Sequence, residues 1–269
     1  MRILSKEISI FDFLPYMCLR LWRQYLVSPP EWRKWQNPAV PVLLYHGPEL
    51  NSYSQFGEDI ILADLFKDKR NGKFLDVGAN HPTELNNTYR LYQQGWRGVN
   101  IEPGIKMHNL LNEVRPDDKN LRIGLGKTAG HATFYEMDVD SVSTFNKDVA
   151  GNSQYYKRIV SQNDVQIQTL ADVFASEFSD VTCDLLSIDV EGDNSEVLEG
   201  NDWQRFRPSI IIIEMPGEER LDIVPYLYQQ GYFLIFDNSL NGVFKDSGVP
   251  GPHPYPADLA QCLTSHQAA

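Results

Sequence analysis

The residues in this chain best suited to chemistry are carboxylates that end apolar runs. Asp76 closes "KFLD" and is followed by Gly78, Glu102 closes "GVNIE" and is followed by Pro103, Asp189 and Glu191 follow "DLLSI", and Glu214 ends "SIIII". A fifth such end, residues 124–126, carries glycine instead of an acid. If these runs are strands of one open parallel sheet, their carboxyl ends share an edge, and that edge is where such sheets bind ligands. Acids gathered there could attract a cation, accept a proton from a hydroxyl, or hold a divalent metal through hard oxygen ligands.

The turn "DVGANHP", residues 76–82, narrows the ligand. A dinucleotide site needs three glycines so that the backbone can turn, approach the pyrophosphate and pack its helix closely. This turn has only Gly78, and Asp76 would meet a pyrophosphate with the wrong sign of charge. "GLGKTAG" contains Gly126, Lys127 and Thr128, but Leu121 stands where a phosphate loop needs its first glycine. A cationic, phosphate-free nucleoside fits the acids better. S-adenosylmethionine is one, with a sulfonium, an ammonium and a ribose diol. Glu102 stands roughly twenty residues on, at the end of the next strand, where a βαβ unit places the acid that grips ribose hydroxyls.

The elements that must position these residues alternate. Strands are expected at residues 73–77, 98–102, 121–125, 184–190 and 209–214. Helices are expected in "SQFGEDIILADLF", "NNTYRLYQQ", "LADVFASEF" and "NSEVLEG". Strands that are apolar throughout imply burial on both faces, and the alternation with helices implies a mostly parallel sheet in a three-layer α/β fold. "YFLIFDNSLNGVFKD" reads as a C-terminal antiparallel hairpin turning at its Asn-Gly. Residues 131–165 read as loops over the scaffold that supply ligand contacts, with Tyr155 and Tyr156 able either to stack on a ring of that ligand or to pack.

The whole chain sets outer bounds. At 269 residues and 42% hydrophobic it can bury one good core. Residues 51–269 read as that domain, and residues 1–50 as an amphipathic helix followed by a proline-bearing surface linker. Because 24 basic residues stand against 36 acidic ones, nucleic acid is not an expected partner. Cys18, Cys183 and Cys262 are widely spread, and such free thiols fit a reducing, cytoplasmic compartment. Asp12, Pro15, Arg20 and Arg23 interrupt the first apolar run, which is too short to span a bilayer and has no cleavage site. The helix over residues 16–26 still needs an apolar partner: its own domain, a second copy of the chain, or, given Trp22, Trp32 and Trp35, a membrane surface.

"FLDVGAN", "GVNIEPG", "LLSIDVEGDNSEVLEG" and "PSIIIIEMPG", in that order and preceded by "SQFGEDIIL", resemble the FkbM family of S-adenosylmethionine-dependent methyltransferases over residues 52–217. The resemblance implies a Rossmann-like class I methyltransferase sheet. It also implies O-methylation of a sugar, polysaccharide or related metabolite. By it, Asp76, Gly78, Ala79 and Asn80 line the methionine portion of the donor, Glu102 binds the ribose hydroxyls, Gln55 closes over the same ligand, and Asp189 lies beside the transferring methyl group. The chain departs from the family pattern at His81 and Pro82, which stiffen the turn, and at Asp193 and Asn194, which follow "DVEG".

Methyl transfer to a hydroxyl needs alignment above all, and a base for the acceptor's proton. Asp189, Glu191 and His81 are the candidates. His81 could equally be a helix-start residue with a structural hydrogen bond, and Glu191 could cap the helix near Asn194. Asp189, Glu191 and Glu214 could instead gather a divalent metal. Two other readings compete. One is a non-catalytic Rossmann-like module in a polysaccharide assembly complex, against which the intact Asp76, Gly78 and Glu102 argue. The other is a nicotinamide oxidoreductase, which lacks its glycines and its Tyr-x-x-x-Lys pair: Tyr89 leads to Gln93 and Tyr92 to Trp96.

Overall fold

The computed structural model describes residues 52–151, 158–179, 181–192 and 194–252. The expected N-terminal helix, the boundary at residue 50, Tyr155, Tyr156 and Asp193 lie outside them. Within them, strands β1 (Lys73–Val77), β2 (Arg97–Ile101), β3 (Lys119–Leu121), β7 (Leu185–Ile188), β8 (Ile210–Glu214), β9 (Tyr232–Asp237) and β10 (Asn241–Asp246) form one sheet in the order β3-β2-β1-β7-β8-β10-β9. The five strands from β3 to β8 are parallel, and β10 runs antiparallel to both β8 and β9. Strand order reverses between β1 and β7, the point at which a doubly wound sheet opens a crevice.

Helices cover both faces, as expected of strands that are apolar throughout. Leu75, Val77, Leu186, Ile188, Ile211 and Ile213 pack against α5 (Leu170–Glu177), α6 (Asn194–Glu199) and α7 (Glu219–Gln229). Phe74, Leu185, Ile210 and Ile212 face the other way, onto Leu62 of α1 (Glu58–Leu65), Leu91 of α2 (Tyr89–Gln93) and Trp96. The fold is therefore the expected three-layer, Rossmann-like α/β arrangement. Among the described residues no helix is long and apolar enough to cross a membrane.

Three expectations need correction. The strand expected at residues 121–125 is split: β3 ends at Leu121, and β4 (Gly124–Leu125) pairs instead with β6 (Ile159–Gln168) in a second, three-stranded sheet that β5 (Gly130–Met137) completes, in the order β4-β6-β5. There Gly124 lies so close to Phe145 and Ile167 that a Cβ would sit 2.5 Å from the Phe145 ring. Residues 131–165 are not simply loops, since β5 (Gly130–Met137) and β6 form a long antiparallel pair. The chain between them carries a 3-10 turn (Asp140–Val142) and helix α4 (Lys147–Gly151). Only three of the pair's eighteen residues are buried, so its alternation is too weakly apolar to stand out in sequence.

The C-terminal hairpin turns at residues 238–240, not at Asn-Gly. Asn238 Oδ1 accepts from Leu240 N (3.1 Å) and Asn241 N (2.7 Å), and Ser239 takes the left-handed conformation with φ 75°. Asn241 and Gly242 instead open β10, where the buried Asn241 amide donates to Glu58 Oε1 (2.7 Å). Finally, two helices carry no expectation from sequence, α3 (Ile105–Val114) and α7, which runs through Pro225.

Candidate functional site

Strand register places the polar residues on one face only. Asp76 is paired with Asn100 of β2 and with Ser187 of β7, and paired residues in a sheet face the same way. These three form a buried polar row, with apolar Ile212 completing it. One step further out on the same face come Glu102, Gly78, Asp189 and Glu214. The backbone ladder continues to this outer row: Gly78 N donates to Ile101 O (3.0 Å), Asp189 N to Val77 O (3.0 Å) and Glu102 N to Leu121 O (3.0 Å). Between the two rows, the opposite face shows only Ile101, Val77, Ile188 and Ile213. The expected strand ends therefore converge on one edge.

Gly78 serves the protein itself first. Its φ is +76°, and a Cβ there would lie 1.9 Å from the carbonyl oxygen of Asp189, so only glycine lets the ends of β1 and β7 touch. Beyond it Ala79 is buried, and Asn80 takes a left-handed conformation, φ 49°, which turns its N–H onto Glu102 Oε2 (2.8 Å). Gly104 N donates to Glu102 Oε1 (2.7 Å). One carboxylate thus joins the turns after β1 and β2. Burial pushes Glu102 up to about 7, against the two amide bonds that favour its charged form.

A residue that sequence reasoning missed holds the Gly78 turn from below. The Asn86 amide donates to Ala79 O and His81 O (both 3.2 Å), while its Oδ1 accepts from Thr88 N (3.0 Å) and Tyr89 N (2.8 Å) at the start of α2. Its own N–H donates to Tyr53 O (2.9 Å), in the segment that leads to the half-buried Gln55. The only sequence signal was an Asn two residues before Thr88, the spacing of an Asx turn at a helix start. Replacing Asn86 by Ala should cost about 2–3 kcal/mol in denaturant unfolding, because it strands two backbone amides in the interior. A loss under about 0.5 kcal/mol would be surface-like and would rule out this holding role.

His81 is a turn cap here. Its Nδ1 accepts from Glu84 N (3.0 Å) and Thr83 N (3.3 Å), which assigns the proton to Nε2. Burial lowers its affinity for a second proton, partly offset by Glu84 and Asp140. A proton acceptor at Nε2 would first have to surrender those amide bonds. Asp189 is different, since its Oδ1 is buried and accepts no hydrogen bond among the described residues, an open acceptor at the switch point. Glu191 follows at φ 54°, and its carbonyl accepts from Thr144 Oγ1 (3.1 Å). The turn into α6 is held by Asn194, whose Oδ1 accepts from Val190 N (3.1 Å). One oxygen each from Asp189, Glu191 and Glu214 lie within 4.8 Å of one another. A shallow groove of about 500 Å³, lined by Leu121, Ile123, Gln166 and Glu177 among others, contains none of the strand-end acids. The acids, rather than that groove, mark the site.

This edge suits a cationic nucleoside: the buried Asp76 and Glu102 stand on adjacent strands, and the half-buried Asp189 beside them has one buried oxygen without a hydrogen-bond partner among the described residues. Comparison with known proteins carries the reading further. A profile of the methyltransferase FkbM domain matches residues 76–234. The chain belongs to the FkbM methyltransferase family. The matched FkbM span opens at Asp76 and includes Glu102, Asp189, Glu191 and Glu214, while Gln55 precedes it. By its description the matched domain is that of a methyltransferase.

Two solved structures are similar to this chain. Methyltransferase FkbM from Methylobacillus flagellatus KT is 14% identical with a TM-score of 0.46, the match covering 84% of this chain and 52% of that one. This chain thus spans about half the length of that protein. A TehB-like SAM-dependent methyltransferase from Corynebacterium glutamicum ATCC 13032 is 12% identical with a TM-score of 0.38, covering 89% of this chain and 100% of the other. No curated protein matches the chain.

Proposed function

We propose that this FkbM protein is an O-methyltransferase acting on a hydroxyl of a sugar, polysaccharide or related small metabolite. S-adenosylmethionine is its donor, lying across the Gly78 turn with its ribose at Glu102. The observation that carries this reading is the row of carboxylates at the ends of β2, β1 and β7, in which Asp189 keeps one buried oxygen unused. When bound, the donor supplies a methyl group made electrophilic by a sulfonium. The chain contributes the rest. Glu102, already fixed by two amides, has lone pairs left for the ribose hydroxyls. Asp76 lies one row beneath and favours positive charge above it. Asp189 Oδ1 accepts the proton that the acceptor hydroxyl loses as its oxygen takes the methyl group. Glu191, on the same turn, is the second candidate for that proton, and His81, held by its cap bonds, the third.

Calorimetry tests the reading directly. S-adenosylmethionine and S-adenosylhomocysteine should bind at micromolar concentration, and NAD should not. Binding of NAD with no response to either nucleoside would reject it, and no binding of any of them would favour the non-catalytic module. The pH dependence is more specific. Because Glu102 must be ionised to accept from the ribose diol, donor affinity should fall up to about tenfold per pH unit below about 7. Stability of the ligand-free protein should move the other way. A carboxyl whose folded value is raised from 4.5 to about 7 stabilises the fold at low pH and loses that contribution as pH rises through about 7. Glu102→Gln should remove both trends and weaken the donor by about 1–2 kcal/mol. An unchanged pH profile would mean that the ribose lies elsewhere.

A second reading rests on the clustering of Asp189, Glu191 and Glu214, which would suit a hard divalent cation that polarises the acceptor hydroxyl. Asp189 cannot be both free base and metal ligand. If it is the base, turnover should survive EDTA unchanged and gain nothing from added magnesium or manganese. Loss with EDTA and recovery with the metal would establish the second reading instead.

A further inference from the structure

Arg115 closes helix α3 and is wholly buried. Such burial is costly unless the guanidinium finds both opposite charge and acceptors. Part of it is spent on Asp118, whose Oδ2 accepts from Nε (2.8 Å) and lies 2.8 Å from Nη2 in an ion pair, although Nη2 makes no hydrogen bond among the described residues, while the rings of Phe74 and Tyr92 each lie 5.1 Å from Cζ. That edge alone would neutralise a structural pair. Nη1 is turned the other way and donates to Thr88 Oγ1 (3.0 Å) and Asn86 Oδ1 (3.3 Å).

The Thr88 hydroxyl has a single proton. Since Arg115 donates into its oxygen, that proton must go outward, and Asp76 Oδ2 at 2.7 Å is a closer and more negative acceptor than Asn86 Oδ1 at 3.0 Å. A continuous hydrogen-bonded path therefore runs from Arg115 through Thr88 to the carboxylate beneath the Gly78 turn. The Asn86 branch ties the same guanidinium to the residue that holds that turn.

We infer that Arg115, acting through Thr88, is a positioning residue that sets the charge and orientation of Asp76 and so the affinity for the amino-acid end of the donor. This rests on the donor reading above. The groups that face Asp76 are Ser187 on β7, Thr88 and Asn86 ahead of α2, Asp189 beyond β7 and Arg115 from α3. Burial raises the Asp76 carboxyl, Arg115 is the strongest influence against it, and Thr88 and Ser187 follow, while Asp189 adds to the rise. Asp118, itself raised by burial and lowered by Arg115, competes for the same cation. Two buried carboxylates share one guanidinium, and relieving either should strengthen its hold on the other.

The test uses two probes on the full chain, titrated by calorimetry from mildly acidic to neutral pH. S-adenosylhomocysteine carries the amino-acid end, and 5′-methylthioadenosine lacks it. Both keep the ribose, so effects of Glu102 cancel in their ratio. Thr88→Val should weaken S-adenosylhomocysteine about tenfold, the size of a lost charge-assisted hydrogen bond, with the midpoint of its pH dependence moved upward. It should leave 5′-methylthioadenosine unchanged, and Thr88→Ser should restore the first probe. Asp118→Asn, which frees Arg115 from its competitor, should move the midpoint downward. Equal losses for both probes, or midpoint shifts of the same sign in the two variants, would overturn the inference. Should Thr88→Val fail to fold, the direction of the Asp118→Asn shift decides alone. A wild-type protein that binds neither probe removes the donor reading and this inference with it.

Discussion

Replacing Gly78 by Ala should abolish donor binding and lower the stability of the fold by about 3–5 kcal/mol, the sum of left-handed strain and overpacking against backbone. The new Cβ would lie 1.9 Å from the Asp189 carbonyl oxygen and 2.8 Å from its carbon. Neither atom is the end of a flexible side chain, so the ends of β1 and β7 would have to part. That parting would carry Asp189 away from Glu102 and spoil the edge on which the donor reading depends. Gly217→Ala is the matched control, since its φ is +55° with open space around the new Cβ, and it should show only strain of about 1–2 kcal/mol. Denaturant unfolding and calorimetry measure both effects. Gly78→Ala protein that still binds S-adenosylmethionine at wild-type affinity would show that the touching strand ends do not form the donor's floor.

Replacing Asp189 by Asn should lower turnover about a hundredfold to ten-thousandfold, the usual contribution of a positioned base, with little change in donor affinity. The side chain keeps its shape, so the Gly78 contact, made by the Asp189 backbone, persists. What disappears is the charge on the buried Oδ1 that accepts no hydrogen bond. S-adenosylhomocysteine release with a panel of monosaccharide and polysaccharide acceptors, set beside donor affinity from calorimetry, separates the two quantities. Proportional loss of turnover and donor affinity would take Asp189 out of the base role. His81→Gln offers a contrast. It removes an imidazole already committed to the amides of Thr83 and Glu84, so its effect should appear mainly in stability.

Much of this architecture was legible without coordinates, and the reasons are local. Short apolar runs cut off by an acid or a glycine, alternating with helical stretches, are the pattern of buried parallel strands. β1 and β8 accordingly lie where their composition puts them. The acids in the first turn of α1 were also visible, but their use was not. Asp59 accepts from Ser52, Ser54, Tyr53 N and Arg90, and Glu58 reaches Asn238 and Asn241 at the far hairpin. Helix-start acids look the same in sequence whether they meet solvent or a buried amide. The Asn-Gly pair misled for a related reason, because a dipeptide suited to a turn is equally suited to close packing. Gly242 sits where a Cβ would meet Met215 at 2.2 Å.

The amino-acid sequence on its own determined the class of sheet, the acids that end its strands and the single glycine that rules out a pyrophosphate cradle, because each is written within a few neighbouring residues. Only the tertiary structure decided which polar groups share an interior. Arg115, followed by a proline and carrying no motif, pairs with Asp118 and reaches Asp76 through Thr88, and Asn86 became the support of the Gly78 turn. Burial and strand register assign such partners, and both arise from packing between segments that pattern reading treats one at a time.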